Sequence, residues 1–186
     1  MEKDECIQDF LSVTVEKKKK EEAKKWRAKK LILKESIKTL SEYKNDLQKE
    51  INTIIRLIDK GWACIATGSS EGKMNAGHYL SVGSSDTTRF HLENIWLQSE
   101  HSNSWKAGDT IRYQEGIEML YGKDYLDYLT GLKNYPLIKL GKEDIKEKIS
   151  IARNIVRELK KVDKQYSLEE RVELRKRFNK EIGIYL

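Results

Sequence analysis

Apolar residues recur every three or four positions over the first third of the chain, which is the spacing of one helix face. Glycine and proline are both absent from Glu16 to Asp59. The pattern predicts one long helix over this range, ended by Gly61. We expect its apolar stripe to pack on the core or to pair with a second helix as a short coiled coil. The stripe consists of Leu33, Ile37, Leu40, Leu47, Ile51, Ile54 and Ile58.

A different pattern follows this helix. Residues 62–110 contain five glycines, all three histidines and three of the four tryptophans. Apolar and polar positions no longer follow a helical period, and glycine is typical of turns. The segment is predicted to be an irregular hairpin followed by a short helix, the kind of loop-rich region in which functional residues are common.

Helical spacing returns at Thr110. The apolar positions predict one helix or a bent pair broken at Gly122, and then an amphipathic helix over Lys142–Val162. The sequence Ser167-Leu-Glu-Glu170 is a capping box and predicts the start of a last helix. The chain is therefore expected to be α+β and mostly helical. The expected regions are 1–60, basic and helical; 61–110, a hairpin core; and 111–186, helical.

Charge separates one segment from the rest of the chain. The net charge is +6, yet residues 16–34 alone carry +7, so the other 167 residues sum to −1. So dense a basic tract favours phosphate binding, with a merely solvated helix face as the alternative. The proposed phosphate-binding residues are Lys17, Lys18, Lys19, Lys20, Lys24, Lys25, Arg27, Lys29 and Lys30.

Cysteine content and hydropathy indicate in which cellular compartment the protein is expected, the cytoplasm. Cys6 and Cys64 are too few for a disulfide framework or a four-cysteine zinc site. The first residues carry acids and no long apolar run, so no signal peptide is expected. No stretch approaches the roughly 18 apolar residues of a membrane span. These features predict a protein of the reducing cytoplasm that does not associate with a membrane.

Three short motifs occur in order within and after the glycine-rich segment. The first is Ala-Gly-His-Tyr at residues 76–79, and the second combines Arg89-Phe90 with Asn94-Ile95. The third combines Asn103, Lys106 and Gly108, and is followed by Tyr113 and Ile117. Together they resemble the HNH, or ββα-metal, nucleases. They resemble more closely the phage recombination protein family called NinG or Rap, over roughly residues 30–162.

The resemblance implies a small ββα-metal core between long charged helices, and a set of roles. His78 would be the general base that takes a proton from water. Asn94 would hold the hairpin or orient His78, and Asn103 would be a metal ligand through its side-chain oxygen. Lys106 or Arg89 would contact phosphate. The implied cofactor is Mg²⁺ or Mn²⁺, which stabilises charge developing on the phosphate.

The chain departs from the family pattern at the metal positions. Relatives usually carry two cysteine pairs for a structural zinc, whereas this chain has Cys64 with Thr67, Ser99 and Ser102. A hydroxyl is a poor zinc ligand, so no structural zinc is expected. Shortly before the base, where the resemblance implies a carboxylate, this chain has Asn75. Its neutral amide would bind a metal more weakly.

Three functions are consistent with these residues. The first, implied by the resemblance, is a metal-dependent endonuclease acting on branched or single-stranded DNA in a phage-infected bacterial host. The second is a catalytically degenerate DNA-binding or recombination accessory protein. The third is a helical protein-interaction module, with a homodimer formed through the N-terminal helix. His91, Glu93 and His101 are predicted to be surface residues, with Glu93 as a replacement for the missing carboxylate as the alternative.

Overall fold

The computed structural model describes residues 2–83, 86–105 and 109–185, and the chain divides into two compact units. The first unit, residues 1–39, contains helix α1 at Glu2–Ile37. The second unit, residues 40–186, contains every other described helix and strand. The division therefore lies about twenty residues before the region boundary expected at residue 60.

The prediction of one continuous helix from Glu16 to Asp59 is wrong, because two helices share this range. Helix α1 ends at Ile37, and helix α2 spans Leu40–Ile58. Leu33 and Ile37, the first members of the expected stripe, are 63% and 71% exposed. Leu40, at the start of α2, is 38% exposed, so the stripe is buried only from Leu47 onward.

Local hydrogen bonds accompany the break. The Ser36 hydroxyl donates to the carbonyl oxygen of Leu33 at 2.8 Å. The Lys38 amide donates to Glu35, three residues back rather than four. Such bonds tighten the last turn and compete with the regular helical ladder, so the helix ends here without a glycine or proline.

Helices α2 and α6 form the centre of the second unit. Helix α6 spans Lys142–Leu159, three residues shorter than expected, and its apolar face packs against α2. The side chains at this contact are removed from water, which is the main favourable term in folding. The buried residues of the two helices are Tyr43, Leu47, Ile51, Ile54, Ile55, Ile58, Ile145, Ile149, Ala152, Ile155, Val156 and Leu159.

The expected hairpin and short helix are confirmed. Strand β1 at Met74–His78 pairs antiparallel with strand β2 at Ile95–Ser99. In their register Asn75 lies opposite Gln98, and His78 lies opposite Ile95. Helix α3, Glu100–Trp105, follows β2 directly. The described chain is therefore mostly helical with one two-stranded sheet, as expected, and none of its helices has the length and apolar character needed to cross a membrane.

The later helices also agree with the sequence. Helices α4 (Thr110–Tyr121) and α5 (Lys123–Gly131) are separated by Gly122, whose φ of +85° favours glycine. Helix α7 spans Leu168–Ile182 and starts with the predicted capping box. In it the Ser167 hydroxyl accepts from the amide of Glu170 at 3.2 Å, and the carboxylate of Glu170 accepts from the amide of Ser167 at 2.9 Å.

A buried ion cluster fastens β2 to helices α2 and α7. The Asp59 carboxylate accepts from Arg171 Nε at 2.9 Å and from Arg175 Nη2 at 2.7 Å, and all three side chains are at most 2% exposed. The same carboxylate accepts from the amide of Leu97 at 2.9 Å. Arg175 also donates to the carbonyl oxygen of Ile95. Asp59 therefore positions the strand that pairs with His78.

Candidate active site

His78 is the last residue of β1, and the chain between the two strands holds its ring. Its Nε2 lies 2.9 Å from the carbonyl oxygen of Arg89. Because a carbonyl oxygen only accepts, Nε2 carries the proton and Nδ1 keeps its lone pair. Burial lowers the pKa of His78 below its usual value; the bond to Arg89 opposes this shift, and the Arg89 guanidinium adds to it. His78 is therefore a neutral, half-buried base near pH 7.

The residues on either side of His78 fix the backbone of β1. A Cβ atom at Gly77 would lie 2.0 Å from the side-chain oxygen of Gln98, so the glycine leaves the space that the buried Gln98 side chain fills. The Tyr113 hydroxyl donates to the carbonyl oxygen of Gly77 at 2.9 Å. The rings of Tyr79 and Tyr113 are 5.7 Å apart between centroids. The Ala-Gly-His-Tyr motif therefore places the histidine on a strand whose position is held from two sides.

Asn94 closes the connection between the strands. It is fully buried, and its Oδ1 accepts from the amide of Leu80 at 2.8 Å. Its Nδ2 donates to the carbonyl oxygens of Leu80 at 3.0 Å and Thr88 at 3.3 Å. Thr88 directly precedes Arg89, whose carbonyl oxygen accepts the hydrogen bond from His78. The Asn94 side chain thus links the backbone at Leu80, two residues after His78, to the backbone at Thr88.

Arg89 supplies a positive charge beside His78. Its guanidinium donates to Asn45 on α2 at 2.8 Å and lies over the ring of Phe90. The side chain is partly exposed, so a phosphate oxygen can approach it. A planar, permanently charged guanidinium beside a neutral base suits phosphodiester recognition.

Asn75 lies on the face of β1 opposite His78, and Asn103 lies on helix α3. Asn75 is three residues before His78 on β1, and an odd spacing along a strand places two side chains on opposite faces. Asn75 hydrogen-bonds Glu100, which also pairs with Lys73 at 2.8 Å. Asn103 is half-buried on α3, three residues after Glu100, and so lies on the same side of that helix. The Asn75 face therefore holds a carboxylate, Glu100, that sequence reasoning missed although it precedes the third motif by three residues.

The resemblance implies a magnesium or manganese ion, and the oxygen donors near this hairpin are sparse. Among the described residues no group of three or more His, Cys, Asp or Glu side chains could hold a metal ion. Asn75 and Asn103 offer neutral amide oxygens, and Glu100 already pairs with a lysine. Mg²⁺ often keeps several waters and takes its other ligands from one or two protein groups and from substrate phosphates. The described oxygen donors here are thus two amides and one lysine-bound carboxylate, and a divalent ion at this place would take most of its ligands from water and phosphate.

The four positions at which the resemblance implies zinc-binding cysteines do come together. The Cys64 thiol hydrogen-bonds the Thr67 side chain and Ser99, and the Ser99 hydroxyl accepts from the amide of Ser102 at 3.3 Å. The turn is closed by the Gly68 amide, which donates to the carbonyl oxygen of Cys64 at 2.8 Å. One thiol and three hydroxyls do not fit zinc, which prefers thiolate and imidazole ligands. In this chain hydrogen bonds link the four positions.

The prediction that His91 and Glu93 are surface residues is wrong. Each is 3% exposed, because helices α5 and α7 cover them. Burial lowers the pKa of His91 to about 4 and raises the pKa of Glu93. His101 is exposed, as expected. The helices that bury the first two side chains are distant in sequence, so local patterning gave no sign of it.

The basic tract forms the middle of α1. Its predicted phosphate-binding residues, from Lys17 to Lys30, are all exposed. Trp26 is 62% exposed, with the Lys30 ammonium 5.0 Å from its ring centroid. The remaining predicted phosphate contact, Lys106, lies outside the described residues. Helix α1 therefore presents a dense positive surface within the first unit.

Comparison with known proteins identifies relatives. Residues 2–163 match the profile of the family described as bacteriophage lambda NinG protein. Protein ninG of Escherichia phage lambda is 28% identical over 104 residues, which is 55% of this chain and 51% of that protein. The corresponding protein of Enterobacteria phage H19B is 29% identical over 104 residues, 55% of this chain and 52% of that protein.

A third relative has a shorter match. Protein ninG of Salmonella phage P22 is 31% identical over 84 residues, 45% of this chain and 41% of that protein. The chain thus spans about half the length of the curated relatives it matches. No solved structure matches it significantly.

Proposed function

The chain belongs to the NinG family of phage proteins, and from that premise we propose that it is a metal-dependent endonuclease acting on branched or single-stranded DNA intermediates of recombination. The observation that carries the proposal is the held ring of His78, a neutral histidine whose Nδ1 lone pair is free of the backbone bond. No hydrogen bond to that Nδ1 is found within the described part of the chain. Phosphodiester hydrolysis needs such a base close to a positive group.

The proposed reaction uses the hairpin directly. His78 takes a proton from a water molecule at Nδ1, while its Nε2–H remains bonded to the Arg89 carbonyl oxygen. The imidazolium so formed is stabilised by that same bond, because the acceptor stays aligned with the donor. The Arg89 guanidinium contacts the phosphate, whose charge otherwise repels the nucleophile. Asn94 keeps the connecting segment in place throughout.

A divalent ion would supply charge stabilisation on the phosphate and the leaving oxygen. Asn103 is the protein ligand proposed for it, with water and phosphate oxygens completing the shell. Asn75 is the second candidate; it lies on the face of β1 opposite His78 and hydrogen-bonds Glu100. Replacement of the usual carboxylate by an amide predicts an ion held loosely in the absence of DNA.

Helix α1 is proposed to hold the DNA backbone. Its exposed lysines and arginine would neutralise several phosphates without reading base sequence. Binding is therefore expected to weaken steeply as salt is raised, because each neutralised phosphate releases counterions.

The decisive experiment compares cleavage by the wild-type chain and a His78→Ala variant. Both are incubated with Mg²⁺ or Mn²⁺ on end-labelled four-way junction, D-loop, duplex and single-stranded DNA. We expect metal-dependent cutting that falls at least about 100-fold in the variant, the scale of general-base catalysis. His101→Ala, an exposed histidine of the same segment, is the matched control and should cut normally.

The second candidate is a non-catalytic DNA-binding accessory protein. It is favoured by the amide at position 75 and by the absence of a three-ligand metal cluster among the described residues. Salt-sensitive binding without cutting, equal in wild type and His78→Ala, would establish it and reject the nuclease. A helical interaction module that dimerises through α1 is the remaining alternative, supported by exposed Leu33 and Ile37. A concentration-independent monomer in sedimentation would reject that alternative.

A further inference from the structure

A cleft lies at the C-terminal end of α2, where that helix passes the start of β1. Its volume is about 360 Å³, within the usual range for ligand sites. Its walls come from the last turn of α2, the chain that follows this helix, and the two strands of the hairpin. Every residue that lines the cleft belongs to the second unit.

The floor of the cleft is apolar and belongs to the hairpin. It consists of Met74, the first residue of β1, and Leu97 of β2. Side chains two residues apart on a strand share a face, so Met74 and Ala76 lie on the face of His78. Leu97 is paired with Ala76 and shares that face. The cleft and the proposed base are therefore on the same face of the hairpin.

Helix α2 runs beside β1 from the candidate active site to the cleft. At one end Arg89, whose carbonyl oxygen accepts from His78, donates to Asn45 on α2. At the other end Arg56 of α2 lines the cleft beside Met74. Asn45 and Arg56 are about 16 Å apart along the helix, and His78 and Met74 are about 13 Å apart along the strand. The cleft is thus in line with the candidate site and a short distance from it.

Two cations stand at the rim of the cleft, and both are exposed: Arg56 and Lys60. Nη2 of Arg56 donates to the Thr53 hydroxyl at 3.0 Å. A guanidinium has five N–H donors, so Arg56 keeps donors for a phosphate. Lys60 pairs with the exposed carboxylate of Asp163, and exposed pairs of this kind are weak enough for a phosphate to replace.

The negative groups at this end of α2 are already bound. Asp59 lines the cleft, but its carboxylate accepts from Arg171 and Arg175. The carbonyl oxygen of Gly61, just after the helix, accepts from the Gln165 side-chain amide at 3.0 Å. The cleft therefore presents a positive rim beside an apolar floor, which suits the sugar–phosphate backbone of a nucleic acid strand.

We propose that this cleft binds the backbone of the DNA strand that passes His78, with one phosphate on Arg56 and Lys60 and its sugar on the apolar floor. The proposal rests on the proposed function and deepens it, because it adds a second backbone contact to the one at Arg89. A strand has one phosphate per about 3.4 Å of duplex axis, so contacts about 16 Å apart are at most about five phosphates apart. Contacts to the backbone carry no sequence information, so the cleft acts equally on all sequences.

The first test measures binding of a four-way junction and of single-stranded DNA to the full chain. Every protein carries His78→Ala, so that the DNA stays intact, and is used alone, with Arg56→Gln or with Arg157→Gln. Arg157 is an exposed arginine on α6 that does not line the cleft, and it serves as the matched control.

We expect Arg56→Gln to reduce the slope of log affinity against log salt by about 0.7 on single strands and about 0.9 on duplex arms. At about 0.1 M salt the smaller change corresponds to roughly fivefold weaker binding, and it should be the same for all sequences. Arg157→Gln should leave both slopes unchanged. Arg56→Lys keeps the charge and should restore the slope, which a merely structural role of Arg56 would not predict.

A second measurement locates the contact on the DNA. Single methylphosphonates, which remove the charge of one phosphate, are placed at successive positions of one junction strand, because the branch fixes the register of binding. One position should weaken binding by the His78→Ala protein but not by the protein that also carries Arg56→Gln. Arg89→Gln should be insensitive at a different position of the same strand, at most about five phosphates away.

An unchanged salt slope in Arg56→Gln, an equal loss in Arg157→Gln, or a single methylphosphonate position shared by Arg56→Gln and Arg89→Gln would each overturn the proposal. The binding results do not depend on cleavage. Cutting by the wild type beside an unchanged slope in Arg56→Gln rejects this inference alone. A reduced slope beside an absence of cutting supports the cleft and rejects the nuclease.

Discussion

Replacement of Asp59 by asparagine should destabilise the second unit more than any surface change. The carboxylate is fully buried and bonds to two buried guanidiniums and to the amide of Leu97. Burial raises the pKa of Asp59, but Arg175 and Arg171 together outweigh it and hold the pKa below 3.8. Asn keeps the shape and removes the charge, which leaves Arg171 and Arg175 buried without a counterion. Breaking a buried pair in this way costs roughly 3–5 kcal/mol.

Urea unfolding followed by tryptophan fluorescence measures this effect. With a slope of roughly 1–3 kcal/mol per molar urea, the Asp59→Asn midpoint should fall by more than about 1 M. Asp163→Asn is the control: that exposed carboxylate pairs with Lys60, and its loss should leave the midpoint close to that of the wild type, because exposed ion pairs contribute little to stability. The difference between wild type and Asp59→Asn should shrink as the pH falls below 3.8, because the unfolded wild-type chain then binds a proton at Asp59 that the native carboxylate, with its lower pKa, does not bind. A midpoint within about 0.3 M of wild type would refute the reasoning.

Two further predictions concern His91 and the thiol–hydroxyl cluster. His91 is buried in its neutral form with a pKa of about 4, so the unfolded chain binds more protons between pH 6.5 and 4, and stability should fall by ~3 kcal/mol as the pH drops through that range. The His91→Phe variant should lack this part of the stability loss. Glu93 titrates in the opposite sense, but it is present in both proteins. Identical profiles of stability against pH in the two proteins would contradict the assignment of the loss to His91. Joint replacement of Thr67, Ser99 and Ser102 by cysteine should create a four-thiolate site that retains one zinc after dialysis and melts at a higher temperature with zinc than with chelator. A tetrahedral thiolate spectrum with cobalt should accompany it, and failure to retain metal would show that the four positions are too far apart.

Local patterns determined much of the fold. The capping box at Ser167, the break at Gly122 and the amphipathic face of α6 depend on residues a few positions apart, and each was read correctly from the sequence. The break between α1 and α2 was also local but was missed. Its signal was Thr39 followed by Glu42, the capping-box spacing that marks a helix start. The apolar stripe continued across this signal and obscured it.

The candidate site was readable in part. The Ala-Gly-His-Tyr motif identified His78, and the same motif explains why glycine precedes the histidine. The sequence did not indicate that Asn75 lies on the other face of β1, because that follows only once residues 74–78 are known to form a strand. For the same reason Glu100 went unnoticed until the strand pairing placed it beside Asn75.

The sequence by itself determined where most of the helices and the hairpin form, which segment carries the positive charge, and which histidine stands in the Ala-Gly-His-Tyr motif. These properties depend on periodicity and residue type over short distances. The tertiary structure decided which charges are buried and which side chains meet. Asp59 contacts Arg171 and Arg175, which are more than a hundred residues away in sequence. Helices α5 and α7 bury His91 and Glu93, which the sequence pattern predicts to be surface residues. Burial depends on what the whole chain packs against a residue, and no local pattern carries that information.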